Sequence, residues 1–148
     1  MKLVIQIPAY NEENTLALTL SKLPRKLKGI SKIEWLVIND GSQDKTVDIA
    51  QKAGADHIVS SIKNKGLAKT FSLGIETALR HGADIIVNTD ADNQYQADDI
   101  EKLIQPILEK KADIVIGERP ISSTAHFSIL KKGLQKLGSM VVRYVSNT

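Results

Sequence analysis

Residues 84–95 read DIIVNTDADNQY, an apolar, β-branched run that leads directly into a polar segment with two aspartates. The same arrangement recurs along the chain, because each of five short apolar runs is followed by polar, turn-forming residues. These runs, which we predict to be strands, cover residues 2–8, 33–39, 56–61, 84–89 and 113–118. Amphipathic stretches between them predict helices at 12–24, 44–53, 66–81 and 97–110. Strands that alternate with helices indicate an α/β fold with a mostly parallel sheet.

Length and composition narrow the class of protein. A chain of 148 residues predicts a single domain over 1–148. The absence of cysteine excludes disulfides and thiolate metal sites. No segment approaches the roughly 18 apolar residues that a transmembrane helix needs. The N-terminus lacks the features of a signal peptide, so we expect a cytoplasmic protein.

The charge is unevenly distributed along the chain. Residues 119–148 carry five basic side chains and no acidic one, whereas all 17 acids precede them. Within this part, 127–145 has apolar residues at helical spacing and predicts an amphipathic basic helix after a basic loop. That helix would either lie on an anionic membrane, at its cytoplasmic face, or pack on the domain's own core. The sequence stops without a turn or cap, and we expect the native chain to continue.

The two aspartates quoted above predict a metal site. Ligands of open α/β sheets bind at the carboxyl ends of the strands. If the backbone stays extended after the fourth strand, Asp90 and Asp92 point to the same side. Two such carboxylates favour Mg²⁺ or Mn²⁺, and Gln94 could add a third oxygen. Two alternatives stay open: a pair that shares a proton, with one raised pKa, or a solvated turn.

Two other strand-following loops carry polar residues that suit a nucleotide. Asp40 follows the second strand and could accept a hydrogen bond from a ring N–H of a base. The segment 63–69 places three lysines around a glycine near a helix start, which suits phosphate. Neither the P-loop spacing nor the G-x-G-x-x-G fingerprint is present. Nucleic acid is disfavoured as a partner, because aromatics make up only 4% of the chain and the predicted cleft is acidic.

Five segments, in this order, resemble the family 2 glycosyltransferases: IPAYNEE, VINDGSQDKT, NKGLAKTFSLG, TDADNQY and ADIVIGER. The similarity covers nearly the whole chain and is greatest to the branch that makes dolichol- and polyprenyl-phosphate sugars. It implies a GT-A fold, a Rossmann-like three-layer α/β/α domain with an Asp-x-Asp metal site. It further implies an inverting transfer of a sugar from a UDP- or GDP-sugar to an acceptor such as a polyprenyl phosphate.

The resemblance also implies roles for individual residues. The nucleotide would be bound by Pro8, Ala9, Tyr10, Glu12, Ile38, Asp40, Lys69, Asp90 and Ala91. The metal, Mg²⁺ or Mn²⁺, would be held by Asp90, Asp92 and Gln94, and the catalytic residues would be Asp92 and Arg119. The family's later, acceptor-side segment has no counterpart within 1–148. A nucleotide-binding domain without turnover therefore stays an alternative, as does a metal-dependent phosphatase or nucleotidyltransferase on a similar sheet.

Overall fold

The sheet consists of four parallel strands, in a computed structural model that describes residues 1–118. The strands are β1 (Lys2–Ala9), β2 (Lys32–Asn39), β3 (His57–Ser60) and β4 (Ile85–Asn88). Their spatial order is β3-β2-β1-β4, so β1 lies between β2 and β4. The four predicted strands up to residue 89 and the parallel sheet are thus confirmed.

Four helices connect and follow the strands: α1 (Leu16–Lys22), α2 (Thr46–Lys52), α3 (Leu67–Arg80) and α4 (Asp99–Leu108). Each lies within its predicted range but is shorter. Helix α1 begins four residues late, because residues 11–13 bond to the loop after β2 instead of continuing a helix. None of the four helices in residues 1–118 has the length and apolar content that a membrane span requires.

The core is divided between the two faces of the sheet. Successive residues of a strand point to opposite faces, and β1 is buried on both. On one face, Leu3 and Ile5 join a cluster with residues of α1, α2 and α4. On the other face, Val4 joins a smaller cluster with Leu36, Ile38 and Ala78 of α3. Helices therefore cover both faces, which is the three-layer α/β/α arrangement, and Met1–Val115 forms one compact unit.

Helix α3 lies unusually close to the sheet at Gly74. A Cβ atom added to this glycine would come within 2.0 Å of Gln6 Oε1 and 2.8 Å of Ile38 Cδ1. Such distances are far below van der Waals contact, so only glycine allows this approach. The middle of α3 is thereby held directly over β1 and β2.

The fifth predicted strand, at 113–118, is not formed. These residues have no regular secondary structure, and Ile114 is 80% exposed. A strand exists only when a neighbouring strand pairs with its backbone groups, and no strand in residues 1–118 pairs with this segment. The apolar, β-branched composition was therefore insufficient. The predicted helix at 127–145 lies outside the described residues, and the extent of the domain over 1–148 stays a prediction.

Candidate active site

A cleft of about 340 Å³ opens at the carboxyl end of the sheet. It lies where the chain order reverses, between β1 and β4, which is where open α/β sheets bind their ligands. Its walls come from the segments after β1, β2, β3 and β4. The lining residues are Pro8, Ala9, Tyr10, Glu12, Asp40, Asn64, Gly66, Leu67, Thr70, Asp90, Ala91 and Asp92.

The loops after β1 and β2 are tied together by hydrogen bonds between side chains and backbone. The backbone N–H of Asn11 donates to Ser42 Oγ at 2.9 Å, and that of Gln43 donates to Asn11 Oδ1 at 3.0 Å. The N–H of Glu12 donates to the hydroxyl of buried Thr46 at 2.9 Å. Glu12 is thus held at the cleft wall by a hydrogen bond from its own backbone, and the loops after β1 and β2 are fixed to each other.

Asp44 stabilises the same pair of loops. Burial by itself raises the pKa of this carboxyl, but hydrogen bonds from the Thr46 hydroxyl and from the N–H groups of Thr46 and Glu13 outweigh it. The pKa of Asp44 is therefore lower than its ordinary value. The carboxylate stays ionised and continues to accept these bonds as the pH falls below neutral.

Asp40 holds the segment after β3 in place. It is 4% exposed, and its two carboxylate oxygens accept the backbone N–H groups of Lys65 and Gly66, both at 2.9 Å. The adjacent Gly41 lies so close that an added Cβ would be 2.6 Å from the carbonyl carbon of Lys63. Asp40 lines the cleft as predicted, and it also fixes the loop that carries Asn64 and Gly66.

Asp90 and Asp92 both line the cleft, but not on an extended strand. Strand β4 ends at Asn88, and the backbone turns at Ala91 and Asp92. The buried carbonyl of Ala91 accepts the Thr19 hydroxyl at 2.8 Å, which anchors the turn to α1. Asp92 Oδ1 accepts the N–H of Gln94 at 3.0 Å. The predicted placement at the cleft holds, whereas the reason given for it, alternation along an extended strand, was wrong.

Four carboxylates line the cleft, and Asp90 and Asp92 are two of them. Within residues 1–118, neither Asp90 nor Asp92 forms an ion pair with a lysine, arginine or histidine. This part of the chain also has no group of three or more acidic, histidine or cysteine side chains that could enclose a metal ion. Two carboxylates fit Mg²⁺ or Mn²⁺ when substrate phosphates and water supply the remaining oxygens.

Three of the predicted site residues within 1–118 do not line the cleft. Ile38 is fully buried beneath α3. Lys69 is exposed on α3, beside Thr70, which does line the cleft. Gln94 is exposed just beyond the Asp92 turn. Their roles in binding stay predictions, and Arg119 lies outside the described residues.

Four cleft residues were missed by the sequence analysis. Asn64, Gly66, Leu67 and Thr70 form the wall contributed by the segment after β3. The available signal was the glycine at a helix start, where Gly66 has a φ of +87°. The lysines around this glycine led to the prediction of a phosphate site, whereas the cleft wall consists of Asn64, Gly66, Leu67 and Thr70.

The chain is similar to curated proteins named for sugar transfer. It is 30% identical to the undecaprenyl-phosphate mannosyltransferase of Micrococcus luteus, over 97% of this chain and 59% of that protein. It is 32% identical to the dolichol-phosphate mannosyltransferase of Pyrococcus furiosus, over 97% of this chain and 41% of that protein. The chain thus spans about half the length of the curated relatives it matches.

Solved structures show the same fold at lower sequence identity. The glucosyl-3-phosphoglycerate synthase of Mycobacterium tuberculosis, in complex with Mn²⁺, UDP and glucosyl-3-phosphoglycerate, superposes with a TM-score of 0.58. The match covers 72% of this chain and 39% of that one, at 23% identity. The sequence model of Glycosyl transferase family 2 matches residues 4–138. The chain therefore belongs to glycosyltransferase family 2, and its sheet has the GT-A fold.

Proposed function

We propose that this chain is the donor-binding part of an inverting glycosyltransferase that moves a sugar from a UDP- or GDP-sugar to a polyprenyl phosphate. One observation carries the proposal. Asp90 and Asp92 line the cleft without any cationic partner in residues 1–118. Unpaired carboxylates around one cleft repel each other, and a divalent cation brought by a nucleotide diphosphate relieves that repulsion.

Asp90 and Asp92 would hold Mg²⁺ or Mn²⁺, and Gln94 is the proposed third ligand. When bound, the metal would neutralise the charge that develops on the departing diphosphate. Asp92 Oδ1 already accepts the N–H of Gln94. The second carboxylate oxygen of Asp92 would bind the cation. Besides the metal, Arg119 and Lys69 are the proposed contacts to the phosphates.

The nucleoside would lie against the loops after β1 and β2. Tyr10, which is half exposed at the cleft, suits contact with a flat base. Glu12 would accept a ribose hydroxyl, with Pro8 and Ala9 as the apolar floor. Each oxygen of Asp40 has a further lone pair beyond the bond to the loop, so Asp40 can still accept a ring N–H.

The transfer itself is a single displacement at the anomeric carbon. An acceptor oxygen forms a bond to that carbon as its bond to the diphosphate oxygen breaks, and the electron pair leaves with the nucleoside diphosphate. Attack from the opposite face inverts the configuration. A polyprenyl phosphate is already ionised near neutral pH, so its oxygen needs little help from a general base. This fits a cleft in which no base has been assigned.

The proposed acceptor class is supported by the relatives, whose names specify undecaprenyl and dolichol phosphates. Such acceptors are membrane lipids, and we place the reaction at the cytoplasmic face of a membrane. The basic segment 119–148 adds five positive charges that would favour an anionic surface.

The test is an assay of sugar transfer from labelled UDP- and GDP-sugars to polyprenyl phosphate, with and without Mn²⁺. We expect metal-dependent transfer from one nucleotide class, lost in Asp92→Asn and retained in the control Asp48→Asn. Asp48 is an exposed acid on α2 that does not line the cleft. Nucleotide binding without transfer would instead support a binding domain without turnover. Cleavage of a simple phosphomonoester would contradict the proposal in favour of a phosphatase.

A further inference from the structure

The segment before α3 and the first turns of that helix form a surface that is both basic and apolar. We call it the β3–α3 patch and define it by Ile62, Lys63, Lys65, Leu67, Lys69 and Phe71. All six side chains are exposed, and Ile62 is fully exposed. Residues 61–71 contain three lysines and no acid. None of these lysines forms an ion pair with any residue in 1–118.

Two of the exposed apolar side chains of the patch lie next to each other. Leu67 and Phe71 are four residues apart on α3, so they are neighbours on the helix surface. They are 68% and 41% exposed. Single exposed apolar residues are ordinary on soluble proteins, but a group of them beside unpaired lysines is typical of an interaction site.

The patch is held in a fixed position. Asp40 binds the N–H groups of Lys65 and Gly66 at 2.9 Å, and Gly41 packs directly against Lys63. The loop therefore presents Ile62 to solvent on a rigid base. Binding through it would not have to order the loop, which removes one of the usual entropic costs of association.

We propose that the β3–α3 patch binds an anionic lipid bilayer. Lys63 and Lys65 attract the headgroups, while Ile62, Leu67 and Phe71 enter the boundary between headgroups and acyl chains. Asn64, Gly66 and Leu67 also line the cleft, so the contact would bring the mouth of the cleft to the membrane. This would deepen the proposed function by placing a lipid acceptor beside the donor site, but its test does not require sugar transfer.

The test compares binding of the full chain to vesicles of phosphatidylcholine alone and of phosphatidylcholine mixed with phosphatidylglycerol. We expect binding to the anionic vesicles only. The double variant Lys63→Gln/Lys65→Gln should weaken it by about 25-fold, from about 5-fold per lysine. Ile62→Ser should weaken it by roughly 5- to 10-fold, because its apolar side chain no longer enters the bilayer.

Two matched controls test whether the loss of any exposed lysines, or of any exposed apolar side chain, would weaken vesicle binding equally. Leu79→Ser removes another exposed apolar side chain, 60% exposed, at the far end of α3. Lys26→Gln/Lys28→Gln removes two exposed lysines from the segment between α1 and β2, at the amino end of the sheet. Neither should change vesicle binding. Residues 119–148 are present in every variant, so any difference among variants comes from the substituted surface.

Several outcomes would overturn the proposal. These are no vesicle binding, equal binding by all variants, or a self-association that Ile62→Ser abolishes in the absence of lipid. Binding to heparin that depends on the lysines but not on Ile62, without vesicle binding, would indicate a polyanion instead. Ile62→Ser should keep the nucleotide-dependent melting shift of the parent chain. A wrong donor-site assignment and a wrong membrane assignment would therefore give different results.

Discussion

Acidic side chains at the two ends of the sheet differ in whether they have cationic partners. At the amino end, Glu34 of β2 is 4% exposed and accepts hydrogen bonds from Lys2 Nζ at 2.7 Å, Lys32 Nζ at 2.6 Å and His57 Nε2 at 2.8 Å. At the carboxyl end, Asp90 and Asp92 have no cationic partner within residues 1–118. A carboxylate that is fully paired contributes to stability, whereas carboxylates left unpaired around a cleft are available to a ligand.

The pKa of Glu34 reflects this pairing. Burial alone would raise it, but the hydrogen bonds from Lys2, Lys32 and His57 dominate and lower the pKa from 4.5 to about 2. Because the folded-state pKa lies below the unfolded-state value, the carboxylate stabilises the fold at pH values above about 4.5. This contribution is lost as the pH falls from about 4.5 towards 2.

The largest change in unfolding free energy should come from removing the ion pairs of Glu34 at the amino end of the sheet. Glu34→Gln should lower the free energy of unfolding by about 3 kcal/mol at neutral pH, since the shift in pKa corresponds to that amount. Denaturant unfolding of both proteins at neutral pH and at about pH 3 measures this loss. The difference between parent and variant should shrink at the lower pH. A difference that does not change with pH would show that the contribution of Glu34 is not electrostatic.

A second effect concerns how the carboxyl end is held, since backbone packing replaces ion pairs there. Gly41 has a φ of +76°, and an added Cβ would lie 2.6 Å from the backbone of Lys63. Gly82 has a φ of +73°, with no atom within 4 Å of an added Cβ. Gly82→Ala should cost about 1 kcal/mol for the left-handed backbone alone.

Gly41→Ala should cost about 1 kcal/mol more than that, because the loop after β3 must also move. The two variants are compared by denaturant unfolding, with the slope checked to be unchanged. Equal costs in the two variants would mean that the loop is not packed against Gly41.

The smallest change in unfolding free energy should come from substituting Asp92 at the carboxyl end, when no ligand is bound. Asp92→Asn breaks no ion pair within residues 1–118 and reduces repulsion with Asp90. We therefore expect a change in unfolding free energy of no more than about 0.5 kcal/mol, in either direction. A loss comparable to that of Glu34→Gln would mean that Asp92 has a structural partner, and the contrast between the two ends of the sheet would fail.

The parts of the fold that depend on local composition were predictable from the sequence. Four apolar, β-branched runs formed strands, and polar residues after them met at one edge, because parallel strands share a carboxyl end. The segment at 113–118 had the same composition and formed no strand, since pairing depends on a neighbour that composition does not report. The hydrogen bonds from Lys65 and Gly66 to Asp40 were also unpredictable from the sequence. These residues are far apart along the chain, and only the pairing of β3 with β2 brings them together.

The central claim, that Asp90 and Asp92 bind a metal–nucleotide complex, is tested most directly by thermal melts with UDP and GDP, each with and without Mn²⁺. Ligand at about 100 times its Kd adds roughly 2.7 kcal/mol, or a shift of roughly 5 to 10 °C. We predict a shift that requires both Mn²⁺ and one nucleotide, disappears in Asp92→Ala and persists in Asp48→Asn. A shift that persists without metal, or in Asp92→Ala, would contradict the claim, as would the absence of a shift with either nucleotide.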